Sequence, residues 1–94
     1  ALTFEAIQRV VSNHFKIKVS DLKAKNNSQA IALPRQIAMY LCKRNTDCSL
    51  PEIGRKFGGK HHSTVIHAIQ KIERKRKEDK DFDRVIESLE EQLK

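Results

Sequence analysis

Apolar side chains recur along this chain at intervals of three and four residues, the spacing of one face of an α-helix. The first such run follows Thr3, a residue type that can cap a helix, and its apolar positions are Phe4, Ile7, Val10, Val11 and Phe15. No segment alternates apolar and polar residues as a strand does, and no internal repeat is visible. The pattern predicts an all-α fold, a compact bundle of five to six helices around one core.

Between residues 16 and 29 the pattern weakens and predicts short elements. Residues 16–19 are expected to connect the first helix to a single helical turn that starts at Ser20 and directs Leu22 inward. Residues 26–29 read Asn, Asn, Ser, Gln, which is the composition of a turn or loop. The next long helix is therefore expected to follow this loop.

Pro34 is expected to lie in the first turn of that helix, where its missing N–H costs no hydrogen bond. The buried face of the helix is expected to include Ile37 and Leu41, and the helix is expected to end at residues 45–48. Three polar residues are expected to project away from the core: Arg35, Gln36 and Lys43.

Residues 49–72 carry the most specific local signals. Ser49 and Glu52 have the spacing of a capping box, with Pro51 early in the first turn. Gly58 and Gly59 can adopt the positive φ angles of a tight helix exit. A second helix is expected to begin near residue 61, so the segment is predicted to be a helix-turn-helix. This motif places the first turn of its second helix in the major groove of DNA.

The second helix is expected to continue through residues 73–77, Glu-Arg-Lys-Arg-Lys, as a solvated, charged extension beyond the groove. A final helix is predicted near residues 82–93, and Asp79 or Asp81 can cap it. Its apolar positions again have helical spacing: Phe82, Val85, Ile86, Leu89 and Leu93.

The charge of the chain adds information that the hydrophobic pattern does not contain. The 94 residues contain 19 Lys and Arg against 12 Asp and Glu, a net charge of +7. Residues 1–48 hold eight basic and three acidic residues, residues 49–77 eight and two, and residues 78–94 three and seven. A basic small domain usually binds a polyanion, with nucleic acid as the first candidate. The acidic C-terminal segment is not expected to lie against phosphate.

Cys42 and Cys48 form no Cys-x-x-Cys pair, and we expect two free thiols in a reducing cytoplasm. No apolar run approaches the roughly 18 residues needed to span a bilayer, and no signal peptide is visible. A chain of 94 residues is long enough for one domain, or for a fragment that contains one.

The run LPEIGRKFGGKHHSTVIHA at residues 50–68 resembles the DNA-binding domain of the bacterial chromosomal replication initiator family, DnaA. Residues 34–39, PRQIAM, and residues 15–22, FKIKVSDL, match other parts of that domain in the same order. The resemblance implies that residues 1–94 are one helix-turn-helix DNA-binding domain, a fragment of a longer initiator. It implies binding of double-stranded DNA, one monomer per short asymmetric origin box, at the nucleoid in the cytoplasm.

The same resemblance implies that this domain is not an enzyme and binds no cofactor. The family's ATP-binding AAA+ module would precede it, and no Gly-x-x-x-x-Gly-Lys-Ser/Thr phosphate loop occurs in these residues.

The resemblance also implies a set of DNA contacts. The base contacts are expected from Leu50, Pro51, Lys60, His61, His62 and Ser63. The phosphate contacts are expected from Arg35, Gln36, Lys43, Ser49 and Thr64. The minor-groove candidates are Lys25 and Asn27, in the basic loop before the long helix.

Three of these positions depart from the family's usual residues. Lys60 stands where Arg is common, and Lys cannot form the rigid fork of a guanidinium. His61 stands where Asp is common, so the base preference at that position is expected to be relaxed or altered. Asn27 stands where a minor-groove Arg is common, and a neutral side chain gains less from a narrow, negative groove. Lys25 can substitute in part.

Three other functional interpretations fit the sequence less well. A zinc or hydrolytic site would need three converging ligands, which His61, His62 and His67 do not provide at their spacing. A transcription regulator with a similar motif would usually dimerise on a palindrome. A lipid- or protein-binding module would use the amphipathic first helix, but its apolar face is needed for the core, so membrane contact is not expected.

Overall fold

Six helices account for the fold of residues 2–94, which the computed structural model describes. They are α1 (Phe4–Phe15), α2 (Val19–Lys23), α3 (Gln29–Asn45), α4 (Leu50–Lys56), α5 (His62–Glu78) and α6 (Lys80–Gln92). These residues contain no strand. The prediction of an all-α bundle is therefore confirmed.

Helix α3 lies at the centre of the bundle and contacts α1, α2, α4 and α5, while α6 packs on α5 and α1. The core is aliphatic with a few aromatic rings. Fully burying one such side chain is worth about 1.5–3 kcal/mol. The side chains that the fold encloses completely include Ile7, Val11, Leu22, Ile37, Leu41, Ile53, Phe57, Val65, Ile72, Ile86 and Leu89.

Helix α1 has the predicted start and face. The Thr3 hydroxyl oxygen accepts a hydrogen bond from the Ala6 N–H at 3.1 Å, which satisfies a free donor of the first turn. The pattern gave no hint that Gln8 is buried as well. Its Nε2 donates to the Lys56 carbonyl at 3.1 Å and so joins α1 to the last turn of α4.

The start of α3 corrects the prediction for Pro34. The helix begins at Gln29, so Pro34 lies in its second turn rather than its first. The Ser28 carbonyl accepts from the N–H groups of Ile31 and Ala32 at 3.0 and 2.7 Å and starts the helix earlier. A proline inside a helix costs about 3 kcal/mol. Burial of Pro34 and Ile31 acts against that cost.

Arg35 provides a second correction. It was expected to project away from the core, but only 6% of it is exposed. The guanidinium turns back and donates to residues 24–28, which connect α2 to α3 and are called the 24–28 loop below. Gln36 is half-buried beside it, and Lys43 is exposed as expected.

The C-terminal half of α5 provides the third correction. Residues 73–77 were expected to be a solvated extension, yet Arg76 is half-buried. Its Nη1 donates to the Tyr40 hydroxyl at 2.9 Å, and it pairs with Asp83 and Glu90 of α6. The reason is nonlocal, because α6 turns back at Asp79 and packs along α5.

Asp79, one of the two predicted candidates, caps α6. Asp79 Oδ1 accepts from the Phe82 N–H at 3.0 Å, and the helix begins at Lys80. Among the described residues, no helix combines the length and the apolar character needed to cross a membrane.

Candidate nucleic-acid interface

Helices α4 and α5 form the helix-turn-helix. The Ser49 hydroxyl accepts from the Glu52 N–H at 3.3 Å, and Glu52 Oε1 accepts from the Ser49 N–H at 3.2 Å, which confirms the capping box. That backbone N–H holds the pKa of the Glu52 carboxyl below its ordinary value. Gly58 and Gly59 have φ angles of 85° and 76°, as the tight exit requires. The Lys60 N–H then donates to the Gly54 carbonyl at 2.8 Å and closes the turn.

The first turn of α5 is open to solvent. His61 is the N-cap residue, and its Nδ1 accepts from the Ser63 N–H at 3.2 Å. The Ser63 hydroxyl lies 2.8 Å from the same nitrogen. The His61 and His62 rings lie with centroids 4.3 Å apart. Both histidines and Thr64 are exposed, so this turn can present imidazole and hydroxyl groups to a ligand.

Residues at the start of α4 extend this surface. Ser49 and Pro51 are exposed, and Leu50 is half-buried. Leu50 and Lys43 line one depression of about 260 Å³ together with residues of α5. The structure therefore places Lys43, on α3, near Leu50 at the start of α4.

A groove of about 220 Å³ separates α3 from α5. Three of the predicted phosphate contacts line it: Arg35 and Gln36 from α3 and Thr64 from α5. His67 and Lys71 line the same groove, and neither was predicted as a DNA contact. Their signal was available, because positions three and seven residues after Thr64 share one helix face. Gln36 Oε1 is buried there and has no hydrogen-bond partner within residues 2–94.

The 24–28 loop lies beside the helix-turn-helix. Arg35 Nη1 donates to the carbonyls of Ala24 and Asn26 at 3.2 and 2.9 Å, and Nη2 donates to Asn27 Oδ1 at 3.1 Å. Lys60 Nζ donates to the Ala24 carbonyl as well, at 3.3 Å. Lys25 and Asn27 are exposed. The predicted minor-groove candidates thus occupy a loop that both Arg35 and Lys60 contact.

The cations around the loop repel one another. The pKa of Lys60 is lowered by partial burial and, to a smaller extent, by the positive charges of Arg35 and Lys25. Burial also lowers the pKa of Arg35. Such a cluster has a lower energy when an anion is nearby.

No carboxylate compensates this cluster within the described residues. Among residues 2–94, the carboxylate of every ion pair belongs to residues 81–91 of α6. The cations of these pairs are Arg44, Arg76, Arg84 and Lys94. The positive charges of Lys25 and Lys60, beside the helix-turn-helix, are therefore left available for an external polyanion. The part of the chain that the structure covers holds no group of three His, Cys, Asp or Glu residues able to bind a metal ion.

Comparison with known proteins identifies the same region. A family model described as the bacterial DnaA protein helix-turn-helix matches residues 4–72. Three chromosomal replication initiator proteins DnaA, from Citrifermentans bemidjiense, Geobacter sp. strain M21 and Geotalea uraniireducens, are each 47% identical to this chain over 92 residues. The match covers 98% of this chain and 20% of each relative, so the chain spans about a fifth of their length.

Proposed function

Because this chain belongs to the family of bacterial DnaA helix-turn-helix domains, we propose that it binds double-stranded DNA at short asymmetric boxes of a replication origin. The observation that carries the proposal is the solvent-exposed first turn of α5, beside cations that no carboxylate of the described residues neutralises. A helix end of this kind fits the major groove.

In the proposed complex, the first turn of α5 reads base edges. His62 is exposed, and its imidazole can donate to or accept from a base. Ser63 offers a hydroxyl, and the neighbouring Lys60 and His61 border the same turn. Leu50 and Pro51 present apolar surface suited to thymine methyl groups. Each good base contact is worth about 1–3 kcal/mol of discrimination.

Phosphate contacts hold the domain in register. Gln36 and Thr64 face each other across the groove between α3 and α5, and the free N–H groups at the start of α5 also favour an anion. Lys43 and Ser49 extend this contact toward α4. Arg35 was predicted for the same role, but its guanidinium is directed at the 24–28 loop.

The 24–28 loop is proposed to approach the adjacent minor groove with Lys25 and Asn27. Both are exposed at the edge of the cationic cluster. A narrow minor groove attracts positive charge, which Lys25 supplies.

One domain is proposed to occupy one box and to hydrolyse nothing. In the whole initiator, ATP would bind to a separate AAA+ module, and the domain would recruit that module to the origin on the bacterial nucleoid, in the cytoplasm. We expect no metal and no membrane contact in this role.

A selection from random duplexes, followed by titration, tests the proposal. The domain should enrich one asymmetric box, and fluorescence anisotropy should show tighter binding to that box than to its scrambled version at two salt concentrations. Affinity for both should fall as salt rises, because phosphate contacts release counterions. Equal affinity for box and scrambled duplex would refute sequence-specific binding. A palindromic box with two bound chains would favour a dimeric regulator instead.

A further inference from the structure

Arg35 is a buried cation with an unusual set of partners. All three of its side-chain hydrogen bonds go to the 24–28 loop: to the backbone carbonyls of Ala24 and Asn26 and to the side chain of Asn27. Only 6% of the residue is exposed, and it also lines the groove between α3 and α5. Its three hydrogen bonds fix the path of the loop.

The same loop is joined to the helix-turn-helix at two further points. The Ala24 carbonyl accepts from Lys60 Nζ at 3.3 Å, one residue before the N-cap of α5. Gly58 packs so closely on the chain before the loop that a Cβ there would lie 2.1 Å from the Lys23 carbonyl oxygen. The loop, α3 and the start of α5 therefore form one connected unit.

We propose that Arg35 is a positioning residue for DNA binding, which holds the 24–28 loop at a fixed place relative to the first turn of α5. The two elements then meet one duplex together, α5 in the major groove and the loop in the minor groove. This inference rests on the proposed function. Because the loop is already ordered in the free protein, DNA binding does not have to restrict its conformational freedom. The smaller loss of entropy strengthens binding.

The geometry requires arginine in particular. The planar fork of the guanidinium carries five donors and reaches three acceptors at once, whereas the ammonium of lysine is a point charge on a flexible stem. Arg35→Lys therefore keeps the charge and removes most of the anchoring. Arg9→Lys is a matched control, because Arg9 is exposed on α1.

Hydrogen exchange in the free protein tests the anchoring. The Ser28 N–H donates to Asn26 Oδ1 at 2.8 Å and reports on the order of the loop. In Arg35→Lys its exchange should accelerate by about tenfold or more, the effect of losing one hydrogen bond to a charged donor. Amides in the middle of α5 should keep their parental rates, which excludes general unfolding, and Arg9→Lys should match the parent. Unchanged exchange at Ser28 in Arg35→Lys would overturn the inference.

Minor-groove substitution tests the consequence for DNA. The selected box is compared with a duplex in which 2,6-diaminopurine replaces adenine in the flanking A·T pairs. This base adds an amino group to the minor groove and keeps the major-groove edge of adenine. The parent protein should bind the modified duplex more weakly. The penalty should shrink toward none in Arg35→Lys, while Lys43→Ala should weaken binding and keep the full penalty.

The outcomes separate the two claims. If diaminopurine weakens binding of Arg35→Lys as much as it weakens binding of the parent protein, the positioning role is overturned and the proposed function stays intact. If the parent protein shows no penalty, the minor-groove contact fails, and the role of Arg35 in DNA binding fails with it. Sequence-specific binding through α5 would still stand on its own selection experiment.

Discussion

Gly54 and Lys60 touch through their backbones, and the contact leaves no space for a side chain at residue 54. A Cβ built on Gly54 would lie 2.1 Å from the Lys60 carbonyl oxygen, and the Lys60 N–H already donates to the Gly54 carbonyl. The contact fixes where α4 ends relative to the start of α5. Glycine at residue 54 is therefore a condition for the shape of the helix-turn-helix.

Gly54→Ala should lower the free energy of unfolding by about 3 kcal/mol, since the added methyl group meets backbone that cannot rotate away. Thermal unfolding followed by circular dichroism measures this. Gly59→Ala is the control, because nothing lies within 4 Å of the new Cβ and only its positive φ of 76° is strained, a cost of about 1–2 kcal/mol. The prediction fails if Gly54→Ala is no more destabilising than Gly59→Ala.

His62→Ala should reduce discrimination between the selected box and its scrambled version by about 1–3 kcal/mol, because one base contact is lost. Lys43→Ala should instead weaken both duplexes alike and reduce the salt slope by about one, as loss of one phosphate contact does. Anisotropy titrations at several salt concentrations measure both effects. A parental box-to-scrambled ratio in His62→Ala would rule out base reading by this residue.

His61→Asp should raise the free energy of unfolding by about 0.5–1 kcal/mol. An aspartate is a stronger N-cap and its charge suits the positive end of the helix dipole, whereas the Nδ1 of His61 makes the capping bond at 3.2 Å. The variant should also change preference at one box position, which affinities for single-base variants of the box reveal. Unchanged stability together with an unchanged base profile would contradict both roles of residue 61.

Asn27→Arg should tighten binding to the selected box by about 1 kcal/mol, the net value of a typical hydrogen bond, through a charge placed near the minor groove. The change removes an acceptor of Arg35, so the gain depends on the new side chain reaching the groove. Gln92→Arg at the exposed end of α6 adds the same charge elsewhere and should have a smaller effect. The dissociation constants of both variants for the selected box test this prediction. If Asn27→Arg gains no more affinity than Gln92→Arg, the loop does not approach the minor groove.

Acid should lower the free energy of unfolding of the domain, partly because Asp83 becomes protonated. The hydrogen bond from Arg76 holds the pKa of the Asp83 carboxyl below its ordinary value. The native carboxyl therefore binds fewer protons than the unfolded one, whose pKa is about 3.9. Its contribution is present above that value and is lost as pH falls through the native pKa.

Asp83→Asn should thus be less stable than the parent at neutral pH, with the difference shrinking toward the acid end. Urea unfolding from pH 7 down into the acid range measures it. Asp81→Asn, a change at a 93% exposed side chain, should follow the parental curve. Parallel curves for Asp83→Asn and the parent would refute the coupling.

Local chemistry made most of the fold predictable. Helical spacing located α1 and α6, and the caps at Thr3, Ser49 and Asp79 followed from residue types that can accept from a free N–H. The start of α3 was misjudged because Pro34 is a strong signal for a first turn. Burial of Ile31, a tertiary effect, outweighed that signal.

The residue types of the candidate site were predictable from the sequence, but the hydrogen-bond and ion-pair partners of its side chains were not. Helical periodicity says which way a Cβ points, yet a long side chain such as Arg35 can turn back on a neighbouring loop. Arg76 escaped prediction for the same reason, since its partners lie on α6 and α3. Which cations remain uncompensated depends on these pairings, and no local pattern contains them.

The placement of α6 has a consequence for how the domain travels. Helix α5 has 17 residues, about 25 Å at 1.5 Å per residue, and the acidic α6 begins just past its far end. The carboxylates of α6 pair with cations on their own side of the bundle, so the charge of the domain is distributed unevenly, with Lys25 and Lys60 on the helix-turn-helix side. A duplex exerts a torque on such a molecule before any atoms touch, so that more of the random collisions begin with His62 foremost.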